Sequence, residues 1–98
     1  MTINKKNEAE KLTVSVGGRL DTSTAPELEK ALEGELENVK ELVIDLSDLE
    51  YISSAGLRVL LAAQKAMNGH GSMTVSGANE DIMEVFEITG FSDVLTIV

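Results

Sequence analysis

Two hydroxyls stand side by side at Ser53-Ser54, with Ala55 and then Gly56 behind them. An apolar run, Leu42-Val43-Ile44-Asp45-Leu46, lies upstream, and leucines and alanines follow. The pair therefore sits where a strand gives way to a helix. Unpaired amides point outward at such a joint, and the helix dipole favours an anion. The serines there suit an N-cap, or a phosphoacceptor that would gain roughly −1.5 to −2 charges on modification. Gly56 favours more than a plain cap. Glycine in the first turn of a helix costs about 1 kcal/mol relative to alanine, which is reasonable where another backbone or a partner must come close. A second segment, Gly18-Arg19-Leu20-Asp21-Thr22-Ser23, precedes the first helix. In an open α/β sheet both segments fall beyond the carboxyl ends of strands, where sites gather.

Catalytic and metal chemistry find less support. His70 is the single histidine and lies in a glycine-rich turn, with no acid beside it in sequence, so a solvated turn residue is expected. Ser53-Ser54-Ala55-Gly56 is not a nucleophile elbow, because Tyr51 and Ile52 stand where the first glycine belongs. Neither phosphate-binding glycine pattern, G-x-x-x-x-G-K-[ST] or G-x-G-x-x-G, occurs. Asp45/Asp48 and Glu80/Asp81 are pairs of acids. The first includes a buried strand position, and the second sits in a helix first turn, where acids are expected. A phosphoaspartate receiver would need an acidic pair after its first strand and a lysine near its last, and neither is present. No cofactor and no metal is expected.

The elements that must position these residues follow from periodicity. Leu12, Val14 and Val16 alternate with Thr13 and Ser15, the period of a half-buried strand, and residues 2 to 7 can pair with it at the edge. Gly17-Gly18 suggests a bulge or a close backbone approach. Thr24 with Glu27 reads as a capping box around Pro26, and Leu28, Leu32 and Leu36 then mark one helical face. The run Leu42 to Leu46 predicts a strand covered on both faces. Residues 54 to 67 predict a helix with Leu60 in the core and Arg58 and Lys65 on its wet stripe; Asn68-Gly69-His70-Gly71 ends it. Met73 and Val75 mark another strand. Asn79 caps a third helix with Ile82, Val85, Phe86 and Thr89 inward, Gly90 ends it, Phe91 folds back, and Val94 to Val98 forms the last strand. The expectation is a single α/β domain over residues 1 to 98: one mixed, mainly parallel sheet of about five strands with three to four helices.

Composition narrows the function classes. With 98 residues the chain suits one domain. Hydrophobic residues make up 43 % and aromatics only 3 %, so the core must be aliphatic. There is no cysteine, hence no disulfide, thiolate ligand or thiol nucleophile. No run approaches the ~20 apolar residues of a membrane helix, and no apolar signal region stands at the N-terminus, so a cytoplasmic protein without direct membrane contact is expected. The net charge of −9 disfavours nucleic acid, which binds through cations. From Glu27 to Glu50 there are nine acids against two lysines, either a solvated face or one suited to a basic partner.

The stretch "VIDLSDLEYISSAGLRVLL", Val43 to Leu61, closely resembles the signature of the STAS domain, most of all in the small bacterial anti-sigma factor antagonists. "VGGRLDTSTAPELEKAL" and "VFEITGFSDVLTI" agree with it, so that the likeness covers about residues 10 to 98. The resemblance implies a STAS-like fold and a binding protein rather than an enzyme. It implies as partners an anti-sigma factor that is also a serine kinase and a PP2C-type phosphatase: binding frees a sigma factor, phosphorylation of one serine abolishes binding, and the phosphatase restores it. On this chain the modified serine falls on Ser54. Ser53 stands where the family usually has aspartate, which makes it the alternative acceptor, and Ala55 stands where a hydroxyl is usual. The partner-binding set implied is Asp21, Thr22, Ser53, Gly56, Leu57 and Arg58. A STAS subunit of a transporter or lipid-trafficking assembly, without phosphorylation, is the second reading, and a small nucleotide-binding module or hydrolase the third.

Overall fold

The computed structural model describes residues 1–98. Strand β1 (Thr2–Glu8) turns back into the long β2 (Lys11–Leu20), and helix α1 (Ala25–Leu32) follows. Then come β3 (Glu41–Asp45), β4 (Leu49–Ile52), α2 (Ser54–Asn68), β5 (Ser72–Ser76) and α3 (Glu80–Thr89). A single 3-10 turn, Phe91–Asp93, leads to the C-terminus. The sheet order is β1-β2-β3-β5. β1 is antiparallel to β2. β3 lies parallel to the first half of β2, with Leu12 opposite Leu42 and Ser15 opposite Asp45. β4 lies parallel to its end, with Leu20 opposite Ile52. This is the mixed, mainly parallel five-strand sheet with three helices expected from the sequence.

Strand periodicity decides what is buried. Leu12, Val14 and Val16 of β2, Leu42 and Ile44 of β3, and Met73 and Val75 of β5 all point to one face and are at most 2 % exposed. The alternate positions, Thr13-Val43-Thr74 and Ser15-Asp45-Ser76, form two half-buried rows across the other face. The expectation that residues 42 to 46 are covered on both faces is therefore corrected: Val43 and Asp45 belong to the second, more polar side. Leu60 and Met67 of α2 and Ile82 and Phe86 of α3 complete the core, each at 0–1 % exposure. Burying side chains of this size contributes about 1.5–3 kcal/mol each.

Several boundaries differ from the sequence reading. No side-chain capping bond forms at Thr24, because its Oγ1 accepts from Asp21 N at 2.8 Å and donates to Arg19 O at 2.8 Å. The expected capping box is thus replaced by a turn that fastens the end of β2. Helix α1 stops at Leu32, since Glu33 is extended and Gly34 has φ +75°. Leu36 is buried from the turn that follows. β4 falls inside what the sequence suggests is a connection. Thr89 is exposed, its Oγ1 donating to Val85 O at 2.7 Å. Gly90 at φ +82° ends α3 as expected. Residues 94 to 98 form no strand: a lone parallel bridge joins Ile97 to Val75, with Val75 N donating to Thr96 O and Val98 N to Val75 O.

Candidate functional site

The site begins where β2 changes partner. Pairing with β3 ends at Ser15 and pairing with β1 at Gly17; from Gly18 the strand pairs with β4, with a register shift between Gly18 and Arg19. Gly17 permits this, because a Cβ there would lie 2.7 Å from Thr2 Oγ1 and 3.2 Å from Asp48 Cβ. Gly18 N then donates to Asp48 O at 2.9 Å. At the far end Ser53 N donates to Leu20 O at 2.9 Å, so the residue after β4 is tied to the last residue of β2. Asp21 and the start of α2 are thereby held at one end of the sheet.

Asp21 is a built element of that end. Its Oδ1 accepts from Ser23 Oγ at 2.8 Å, Ser23 N at 3.0 Å and Thr24 N at 3.2 Å. The Ser23 hydroxyl, with the amides of Thr24 and Ser23, holds the carboxyl below its ordinary value against the opposing effect of desolvation. The turn 21–24 is therefore organised around an ionised carboxylate. Arg19 Nε lies 3.8 Å from the other oxygen, Oδ2, and the Arg19 guanidinium stacks 4.2 Å from the centre of the Tyr51 ring. Neither Arg19 nor Tyr51 is singled out by sequence. The signal for them is a strand pairing, Arg19 opposite Tyr51, that was hidden with β4 itself.

Ser53 and Ser54 differ in accessibility. Ser53 is the N-cap residue, in extended conformation at φ −102° and ψ 177°, yet its side chain makes no capping bond. Its Oγ is buried and has no hydrogen-bond partner. Ser54 is the first helical residue and is exposed. No acid occupies the first turn of α2, so its dipole is uncompensated by side chains there. Thr22 and Arg58 are exposed and, with Ala55, line one recess of about 210 Å³ between the starts of α1 and α2.

Two of the partner-binding positions implied by resemblance lie inside instead. Leu57 is 4 % exposed and belongs to the core. Gly56 is buried, and a Cβ there would approach Leu20 Cγ to 2.7 Å and Ile52 Cγ1 to 2.9 Å. The close approach that this glycine permits is internal: it lets α2 settle on the ends of β2 and β4. His70 is likewise not a solvated turn residue; it is half-buried, with Nε2 2.7 Å from Leu36 O.

Asp45 sits at the end of β3, away from these residues in register. Its Oδ1 accepts from the Ser47 hydroxyl and, at 3.0 Å, from Ser47 N, and Oδ2 accepts from Ser15 Oγ at 3.3 Å. The Ser47 hydroxyl is the main reason that this carboxyl too lies below its ordinary value. It shapes the β3–β4 turn. No three His, Cys, Asp or Glu side chains converge as a metal site would require, and no helix is long and apolar enough to cross a membrane.

A family model described as "Mlab, STAS domain" matches residues 3–97. The chain is 35 % identical over 97 residues to an anti-sigma-B factor antagonist of Listeria monocytogenes, covering 95 % of this chain and 83 % of that one. It is 33 % identical over 86 residues to the Staphylococcus aureus anti-sigma-B factor antagonist, covering 86 % and 80 %. Among solved structures, an anti-sigma factor antagonist from Mycobacterium paratuberculosis superposes with a TM-score of 0.89 at 28 % identity, covering 98 % of this chain and 83 % of that one. With nearly its whole length matched by the family model, the chain belongs to the STAS domain family, among the anti-sigma factor antagonists.

Proposed function

We propose that this protein is a phosphorylation-switched anti-sigma factor antagonist: it binds an anti-sigma factor that is also a serine kinase and so frees a sigma factor. Ser54 is the phosphoacceptor, and a PP2C-type phosphatase reverses the modification. The observation that carries this reading is the exposed hydroxyl of Ser54 at the first position of α2, at the same end of the sheet as the Asp21 turn. Burial of Ser53 Oγ favours Ser54 over its neighbour as acceptor. The partner-facing surface on this reading is Asp21, Thr22, Ser53, Ser54 and Arg58. Gly56 and Leu57 support it from beneath.

Two effects act on phosphorylation. The dipole at the helix N-terminus favours the phosphate locally by about 0.3–1 kcal/mol, so the fold survives. At the interface the same group places close to two negative charges where the partner must sit. A desolvated charge without a partner costs several kcal/mol, so release outweighs the local gain. The test is incubation with candidate anti-sigma factor kinases and ATP, followed by peptide mass spectrometry and a binding assay. Labelling at Ser54 with loss of binding is expected. Tight binding by the phosphorylated protein overturns the switch. Constitutive association with a transport ATPase, indifferent to phosphorylation, turns the reading to a permanent STAS subunit.

A further inference from the structure

Between α1 and α2 lies a groove that nothing in the site uses fully. It consists of two recesses sharing Glu29 and Val59: the one of about 210 Å³ beside Arg58, and another of about 310 Å³ running on towards Leu36. The floor of the larger one is apolar, formed by Leu32, Leu36, Val59 and Ala63, with Ala62 exposed at its edge. Glu29 and Glu33 stand on its rim, four residues apart on one face of α1 and its C-cap. Neither has a cation within 4.0 Å, whereas the nearby Glu35 is paired with Lys5 at 2.9 Å. Arg58, at the opposite end, is also without a carboxylate within 4.0 Å.

We infer that this groove receives an amphipathic helix of the anti-sigma factor, with apolar anchors along its seam, basic residues facing Glu29 and Glu33, and an acid facing Arg58. The inference rests on the proposed function for the partner's identity, and on charge and shape for the partner's chemistry. An apolar trough with a polar rim is the form that helix-in-groove recognition takes, with anchors at i, i+3, i+4 and i+7. The unpaired Glu33 calls for a cation at one end and the unpaired Arg58 for an anion at the other, with Glu29 between them where the two recesses meet, which fixes the direction of the helix. Ala55 lines the Arg58 end, so that end lies within one helical turn of Ser54. A phosphate on Ser54 stands four residues before Arg58 and competes with the partner's acid for the guanidinium. Docking in the groove and release by phosphorylation are thereby coupled.

The test uses the full chain and two ligands: an anti-sigma factor shown to bind it, and a synthetic amphipathic peptide with leucines at the anchor positions, lysines on one flank and a glutamate at one end. Ala62→Arg should fill the groove, and the pair Glu29→Lys, Glu33→Lys should reverse its rim. Each should weaken both ligands by about tenfold or more while leaving the melting temperature close to that of the unaltered chain. Amide shifts on peptide titration should be confined to residues 25 to 36 and 55 to 63. Undiminished binding of either ligand to Ala62→Arg, or shifts scattered over the molecule, overturns the groove. So does self-association of the chain that Ala62→Arg abolishes, because the occupant is then a second copy. If Asp21→Ala and Ser54→Asp lose the anti-sigma factor while both groove variants keep it, the function stands and the groove falls. If the unaltered chain binds no anti-sigma factor, the function falls, and the peptide still decides the groove.

Discussion

Ser53 and Ser54 are neighbours with opposite surroundings, one hydroxyl buried without a partner and the other open to solvent. Ser54→Ala should abolish labelling by the cognate kinase yet keep binding, and Ser54→Asp should bind poorly; phosphopeptide mapping and calorimetry check both. Labelling that persists in Ser54→Ala and vanishes in Ser53→Ala would transfer the role to Ser53. Asp21→Ala should weaken the anti-sigma factor by about tenfold or more, since charge contacts truncated at interfaces carry effects of that order. It also removes the acceptor for Ser23 and Thr24, so the comparison with Asp21→Asn separates charge from turn geometry. Affinity in both variants unchanged from that of the unaltered chain would move the interface elsewhere. Asp45 makes a different kind of statement. Its carboxyl is held below its ordinary value in the folded state, chiefly by the Ser47 hydroxyl, so its contribution to stability is present above the ordinary carboxylate range and is lost as pH falls through the lowered folded value. Asp45→Asn should flatten the acid limb of stability, read as urea midpoints between about pH 5 and pH 2.

At the scale of elements, α2 is the lever. Leu60 is 0 % exposed, and Leu60→Ala should cost about 2–5 kcal/mol in denaturant melts. A loss below about 0.5 kcal/mol would contradict its place in the core. Gly56→Ala separates two opposed effects. Helix propensity alone would reward alanine by about 1 kcal/mol. The methyl, however, meets Leu20 and Ile52 at under 3.0 Å, and overpacking of that kind costs about 1–3 kcal/mol. Net destabilisation is expected, and a stabilised variant would show that α2 can shift outward. The same elements show what the sequence could convey. β2, α2 and the Asn79 cap of α3 are legible from period and cap chemistry; Asn79 Oδ1 does accept from Ile82 N at 2.9 Å. β4 is not, because Leu49-Glu50-Tyr51-Ile52 has no alternation and owes its strand to pairing with residues distant in sequence. The inward turn of Leu57 is a matter of helical phase, since it stands three residues before the core Leu60 on one face of α2. Of the candidate site, Ser54, Asp21 and their common edge were legible. The Arg19–Tyr51 stack was not, for it depends on β4.

Over the whole molecule the net charge of −9 is concentrated along α1 and the chain that follows it. A basic partner should be steered to that side, and steering is screened over about 10 Å at 0.1 M salt and about 3 Å at 1 M. The association rate with the anti-sigma factor should therefore fall severalfold or more across that range, measured by stopped flow, while the dissociation rate changes less. An association rate indifferent to salt would show that the acids only solvate the surface. The divided partnership of β2 has a further consequence. Five residues of β2 are registered against β3, but only three against β4, and a register shift between Gly18 and Arg19 interrupts even those three. The end that carries Asp21 and Ser54 is thus sewn to the sheet by fewer rungs than the sheet is to itself. Native-state hydrogen exchange should find the amides of Gly18 and Ser53 released in a sub-global opening well before those of β3, so that the switch can loosen and re-form while the rest of the fold stays closed.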